Sequence, residues 1–238
     1  MFSYRDAGKI IWSKYFYLKK GFGTVIRSGF GLYGIYKLPE TFYDEGRSES
    51  DAEHTLGTLI LLRLISEFQP EVLEKLNYRE LNDVLLLHEI GEIELGDIPD
   101  DGSRNEDFKN QTEYRVAESF VKVFGNRRRI MHIFKNFQKR ARRTGELLYM
   151  IDKAEAILQG LIYEKQGRGG HLFKKPAEVT ERDRLAYEAT GRDDLVDIWA
   201  YGFVKRSRKF RFYEQIFSII EEAVIDVRGK SFDWIDKV

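Results

Sequence analysis

An all-α fold is predicted for this chain of 238 residues, from three observations. Apolar residues recur at helical spacing through most of the sequence, few segments alternate with period two, and helix start and stop signals stand at the segment ends. The length suffices for a single sizeable core. No internal repeat and no low-complexity linker divides it, so one continuous domain is expected. Residues 1–46 read as an arm and loop that contributes to a site, 47–165 as the functional core, and 166–238 as further helices packed on it.

The Gly- and aromatic-rich arm opens with a helix over about 6–18 and continues as an irregular loop. Ser50-Asp51-Ala52-Glu53 has capping-box spacing, in which Ser caps a free N–H and Glu reaches back. The run Leu56–Phe68 is apolar on nearly all sides and predicts a buried central helix, stopped by Pro70. A second helix is expected over about 78–95, with Gly96 and Pro99 as terminators. A polar loop covers 97–105, and a third helix about 106–124, ending at Gly125. Residues 127–143 form a basic segment. Leu147, Ile151, Ala154, Leu158 and Leu161 then mark a strong helix over 146–165. A Gly-rich loop follows, then two helices over about 177–190 and 193–228.

Composition narrows the chemistry. Cysteine is absent, which removes disulfides, Cys₄ zinc sites, iron–sulfur clusters and thiol nucleophiles. A metal site must use His, Asp and Glu alone. No signal peptide and no membrane-spanning run is visible, so the cytoplasm is the expected location. The formal net charge is zero, yet the charge is segregated. Residues 89–107 hold eight acids against one Arg, whereas 127–143 hold eight basic residues and no acid. The basic segment and Lys205–Arg211 are read as solvated faces, and nucleic acid is not expected as the primary partner. Gly29–Gly34 fits G-x-G-x-x-G, but no βαβ pattern surrounds it, so it is read as a loop.

Four potential ligands fall on three helices. His54 lies in the first turn of one, the pair His88-Glu89 near the end of another, and Asp152 at the edge of a third apolar stripe. Ionisable groups in an apolar bundle are costly unless paired or metal-bound. Imidazole with carboxylate oxygen suits divalent first-row metals. Glu92 lies four after His88, on the same face of the expected helix.

Ala52-Glu53-His54, His88-Glu89-Ile90-Gly91-Glu92, Gly96-Asp97-Ile98-Pro99 and Ile151-Asp152-Lys153 together resemble the HD-domain metal-dependent phosphohydrolases. The resemblance covers about 27–165 and is nearest the bacterial 5′-deoxyribonucleotidase branch. It implies an HD-domain helical bundle with extra C-terminal helices. It also implies one divalent metal (Mn, Co, Fe, Zn or Mg) on His54, His88, Glu89 and Asp152. By the same resemblance Glu92 and Asp97 are catalytic, managing protons beside the metal, while Arg27, Phe30 and Arg47 bind the substrate phosphate and its neighbour. The implied reaction is hydrolysis of a phosphomonoester, with a nucleoside 5′-monophosphate as substrate class, in a homodimer. The family's signature pair is His-Asp, and this chain carries His88-Glu89. That difference keeps open a catalytically silent HD domain that binds a nucleotide or a partner protein. A phosphodiester or alarmone hydrolase on the same scaffold is a further alternative.

Overall fold

The computed structural model describes residues 3–13, 51–89, 106–120, 127–165 and 181–235. Among these residues the chain is helical and contains no strand, as an all-α fold requires. The elements are α1 (helical residues 4–13), α2 (Asp51–Phe68), a 3-10 turn (Pro70–Leu73) and α3 (Tyr78–Leu87). They continue with α4 (Glu106–Phe120), α5 (Arg127–Gln138), α6 (Arg142–Lys165), α7 (Glu181–Thr190), α8 (Leu195–Ser207) and α9 (Tyr213–Arg228).

The centre of the bundle is α6, not the apolar α2. Helices α2, α3, α5, α8 and α9 all pack on α6. Its Leu147, Leu148, Ile151, Ala154, Leu158 and Leu161 are fully buried. Helix α2 buries Leu61, Leu62 and Ile65, but exposes Arg63 and Glu67 and only half-buries Leu59 and Ile60. Among the described residues, an apolar face wider than one stripe here serves chiefly α6, α3 and the 3-10 turn.

Helix α3 starts where Asn77 caps it, its side chain accepting from the N–H groups of Arg79 and Glu80. This satisfies donors that the first turn leaves free. The helix ends at Leu87, with His88 and Glu89 in the turn that follows. That is shorter than the expected 78–95. Residues 90–105, Glu92 and its expected shared face with His88 among them, lie outside the described residues. Ser50 and Gly125 lie outside them as well.

The basic segment is mostly helix. In α5 the apolar Ile130, Met131, Ile133 and Phe134 point inward and the arginines outward. The turn into α6 is tight, with Arg140 and Arg142 at φ 51 and 59, a left-handed conformation that costs a non-glycine residue about 1 kcal/mol. Gly145 permits the close return: a Cβ there would stand 2.2 Å from the Asn136 carbonyl oxygen.

The single helix expected over 193–228 is two. Helix α8 stops at Ser207 and α9 begins at Tyr213. No Gly or Pro marks the break. Packing makes it: Phe212 is buried beneath the guanidinium of Arg143, 4.7 Å from the ring centre. Phe210 meets the edge of Tyr149 at 6.2 Å. Inserting both rings into the bundle outweighs continuing the helix. The C-terminal segment returns onto α8 and α9 through Phe232 and the fully buried Trp234. One apolar core runs from Ile11 and Trp12 through α6 to Trp234.

Candidate metal centre

Packing of α2 and α3 on α6 brings His54, His88, Glu89 and Asp152 together. One donor atom from each lies within 4.8 Å of the other three. His54 Nε2 stands 3.0 Å from Asp152 Oδ1 and 3.5 Å from Glu89 Oε1. His88 Nε2 stands 3.0 Å from Glu89 Oε1 and 3.9 Å from Asp152 Oδ1. Donors held ~2.1 Å from a common ion are separated by ~3.0–4.2 Å, and these pairs fall in that range. The site is enclosed. His88 and Asp152 side chains are 2% and 7% exposed, and the edge of Phe137 closes on His88 at 5.9 Å.

The outer contacts orient these groups. His88 Nδ1 donates to the Leu85 carbonyl oxygen at 2.5 Å, which leaves Nε2 facing the cluster. His88 Nε2 is buried and has no hydrogen-bond partner, although Glu89 Oε1 lies 3.0 Å away. On the far side of Asp152, Lys153 Nζ holds Oδ2 at 3.0 Å. His54 Nδ1 pairs with the carboxylate of Glu155, which is fully buried. The chemistry of the set, two imidazole nitrogens and two carboxylate oxygens with supported outer contacts, fits a divalent cation.

Electrostatics agree with the geometry. Burial acts most strongly against charge on His54, yet Glu155 and Asp152 outweigh it and raise its pKa well above the usual value. Burial likewise opposes the charge on His88, and Glu89 then Asp152 raise it. Glu89 is disfavoured by burial but held down to about 2 by His88 and His54. Asp152 is lowered in the same way, against burial, by Lys153 and His54. Without a cation the cluster holds protons on its imidazoles, and a metal replaces them.

Glu92, Asp97, Arg27, Phe30 and Arg47, together with His171, lie outside the described residues. Sequence reasoning missed Glu155 and set Lys153 low. The available signal was an acid inside an apolar stripe, three residues after Asp152, where water cannot solvate it. Part of the basic segment packs on the protein itself. The guanidinium of Arg140 covers Tyr149 at 4.6 Å, and those of Arg143 and Arg211 lie over Phe212. His132 is exposed. A cleft of about 400 Å³ lies elsewhere, between α6, α8 and the C-terminal segment. Its Arg228 pairs with Glu164, Asp194 and Asp197, and its Arg192 with Asp233. None of the four clustered donors lines that cleft, so its depth carries no argument about chemistry. None of the helices among the described residues is long and apolar enough to cross a membrane.

Comparison with known proteins agrees with this centre. Neither the curated proteins nor the solved structures yielded a match. Among protein families, the HD domain matches residues 40–189, more than half of the chain and all three segments that supply the cluster. HD domains are helical, bind divalent metals and are in general metal-dependent hydrolases. On its helical architecture, its buried two-histidine, two-carboxylate cluster and this match, the chain belongs to the HD domain family.

Proposed function

We propose that this protein is a metal-dependent phosphohydrolase that cleaves the phosphomonoester of a nucleoside 5′-monophosphate, deoxynucleotides included. The observation that carries the proposal is the convergence of His54, His88, Glu89 and Asp152 on one enclosed point. These four residues would hold one divalent ion, with Mn, Co, Fe, Zn and Mg all compatible with the donors. When bound, the ion supplies Lewis acidity toward a phosphoryl oxygen and acidifies water near neutral pH.

The remaining work falls to the chain's own side chains. Asp152 keeps one oxygen on Lys153 and turns the other inward. His88 stays oriented through Leu85. Glu92 and Asp97 are assigned the protons, because carboxylates next to such a centre can orient water and protonate a leaving oxygen. Arg27 and Arg47 are assigned the phosphate, for which a guanidinium offers two parallel donors, and Phe30 lies against the substrate. These five assignments, and the nucleotidase branch, rest on the sequence resemblance. So does a homodimer, whose mass of twice 28.0 kDa light scattering can read.

The test is a phosphate-release screen across nucleoside 5′-monophosphates, with and without Mn²⁺ or Co²⁺. Release from at least one nucleotide is expected, lost on chelation and in His88→Ala. Cleavage confined to diesters or alarmones would move the reaction to the neighbouring class. Silence toward every substrate, with metal bound, would leave a binding domain.

A further inference from the structure

Glu155 lies one turn beyond Asp152 on α6, with no exposed surface, between Ala154 and Ala156 in the apolar stripe. A carboxylate at such a place is strongly disfavoured unless a partner compensates it. One partner is Nδ1 of His54, 101 residues away in sequence. An ionised carboxylate only accepts hydrogen bonds, so Nδ1 must carry the proton. The other nitrogen of the same ring then faces Asp152 Oδ1 at 3.0 Å and Glu89 Oε1 at 3.5 Å. Without a cation that nitrogen carries a proton toward Asp152; a metal ion takes the place of that proton and leaves the one on Nδ1.

The two histidines are therefore fixed by different means. His88 takes its orientation from a backbone carbonyl of its own helix, which no substitution at that position removes. His54 takes its orientation from a side chain on a different helix. We propose that Glu155 is a positioning residue of the metal centre. It holds the Nδ1 proton of His54, fixes the ring between α2 and α6, and presents Nε2 as a donor to the ion. Its charge also raises the basicity of the imidazole. The inference rests on the reading that the four clustered residues bind a metal.

The experiment uses full-length protein and Co²⁺ alone as the probe, followed by visible absorption and calorimetry. Two variants are compared with the wild type. Glu155→Met removes the acceptor while keeping the volume, and Glu155→Gln keeps an oxygen acceptor. Expected are 10- to 100-fold weaker Co²⁺ binding in Glu155→Met, the cost typical of losing an outer partner of a ligand, and a smaller loss in Glu155→Gln. Far-ultraviolet circular dichroism should be unchanged in both. In the Zn²⁺-loaded wild type, nitrogen-15 NMR should show His54 protonated at Nδ1, and Glu155→Gln should keep that signal. Equal Co²⁺ affinity in wild type and a folded Glu155→Met would overturn the role of Glu155 and leave the metal reading intact. A wild type that takes up no Co²⁺ would remove both. Should Glu155→Met fail to fold, Glu155→Gln decides: a His54 ring unprotonated at Nδ1 in that variant or in the wild type rejects the proposal.

Discussion

Glu89 is the residue at which the chain departs from the family's signature pair, and its position explains how the departure is tolerated. It follows directly after the last residues of α3, where the backbone leaves the helix. From there the longer side chain still delivers Oε1 to within 3.0 Å of His88 Nε2 and 3.5 Å of His54 Nε2. Shortening it to Asp withdraws the oxygen from both imidazoles. Glu89→Asp is therefore expected to weaken Co²⁺ binding about tenfold, on the order of 1.4 kcal/mol. Tighter binding in a Co²⁺ titration of the variant would show that Glu is a handicap at this position. The same reasoning separates Glu89 from Glu155: one faces both imidazoles of the cluster, the other pairs with His54 from behind.

Among the elements, the hairpin of α5 and α6 bears most on the site. Helix α5 supplies Phe137 against His88, and α6 supplies Asp152, Lys153 and Glu155. They approach closely at Gly145, where the Asn136 carbonyl leaves no space for a methyl group. Gly145→Ala should destabilise the protein by about 3 kcal/mol, the upper part of the range for overpacking. Urea denaturation checks this. An unchanged midpoint would mean that the helices separate at little cost. Helix α3 has a different support. Asn77 caps its start, and the buried Leu81, Val84, Leu85 and Leu87 hold it in the bundle up to the turn that carries His88 and Glu89.

At the scale of the molecule, the C-terminal helices are tied to the core by a partly buried ion network. Arg228 reaches Glu164 on α6 with two nitrogens at 2.7 Å, and Asp194 and Asp197 at the start of α8 at 2.7 and 2.5 Å. Trp234 Nε1 donates to Asp197. Burial, then the neighbouring Asp194, push the Asp197 carboxyl up to about 6, against the pull of Trp234 and Arg228. The folded state thus holds a proton between about pH 4 and 6 that the unfolded chain has released. The contribution of this group is fully present at the acidic end and is lost as pH rises through about 6. Asp197→Asn mimics the protonated form and cannot titrate. Its stability relative to wild type should rise as pH increases across that interval, since only the wild type loses the contribution of the held proton. Paired urea melts at pH 4.5 and 6.5 measure it, and a constant difference between the two proteins would exclude the mechanism.

Helical periodicity, caps and stops are local properties, and they were legible in the sequence. The existence of α2, α3, α4, α6 and α7 and the stripe of α6 follow from them, and so does an all-α fold. The cluster of His54, His88, Glu89 and Asp152 was legible too, because ionisable residues in apolar stripes have few physical explanations and the motif pieces resemble a known family in order. Non-local effects were not legible. The break between α8 and α9 has no Gly or Pro to announce it and arises from Phe210 and Phe212 entering a bundle assembled from other segments. The early end of α3 has no residue-level marker either. Which helix is central depended on how many neighbours each apolar face meets, and that placed α6 at the middle rather than α2. Glu155 reads in sequence as an acid misplaced in a stripe, and only the approach of α2 shows the imidazole that compensates it. The sequence by itself determined the helices and the four donors. Tertiary structure alone decided which charges meet, because a buried ion's partner lies a hundred residues away and is selected by packing.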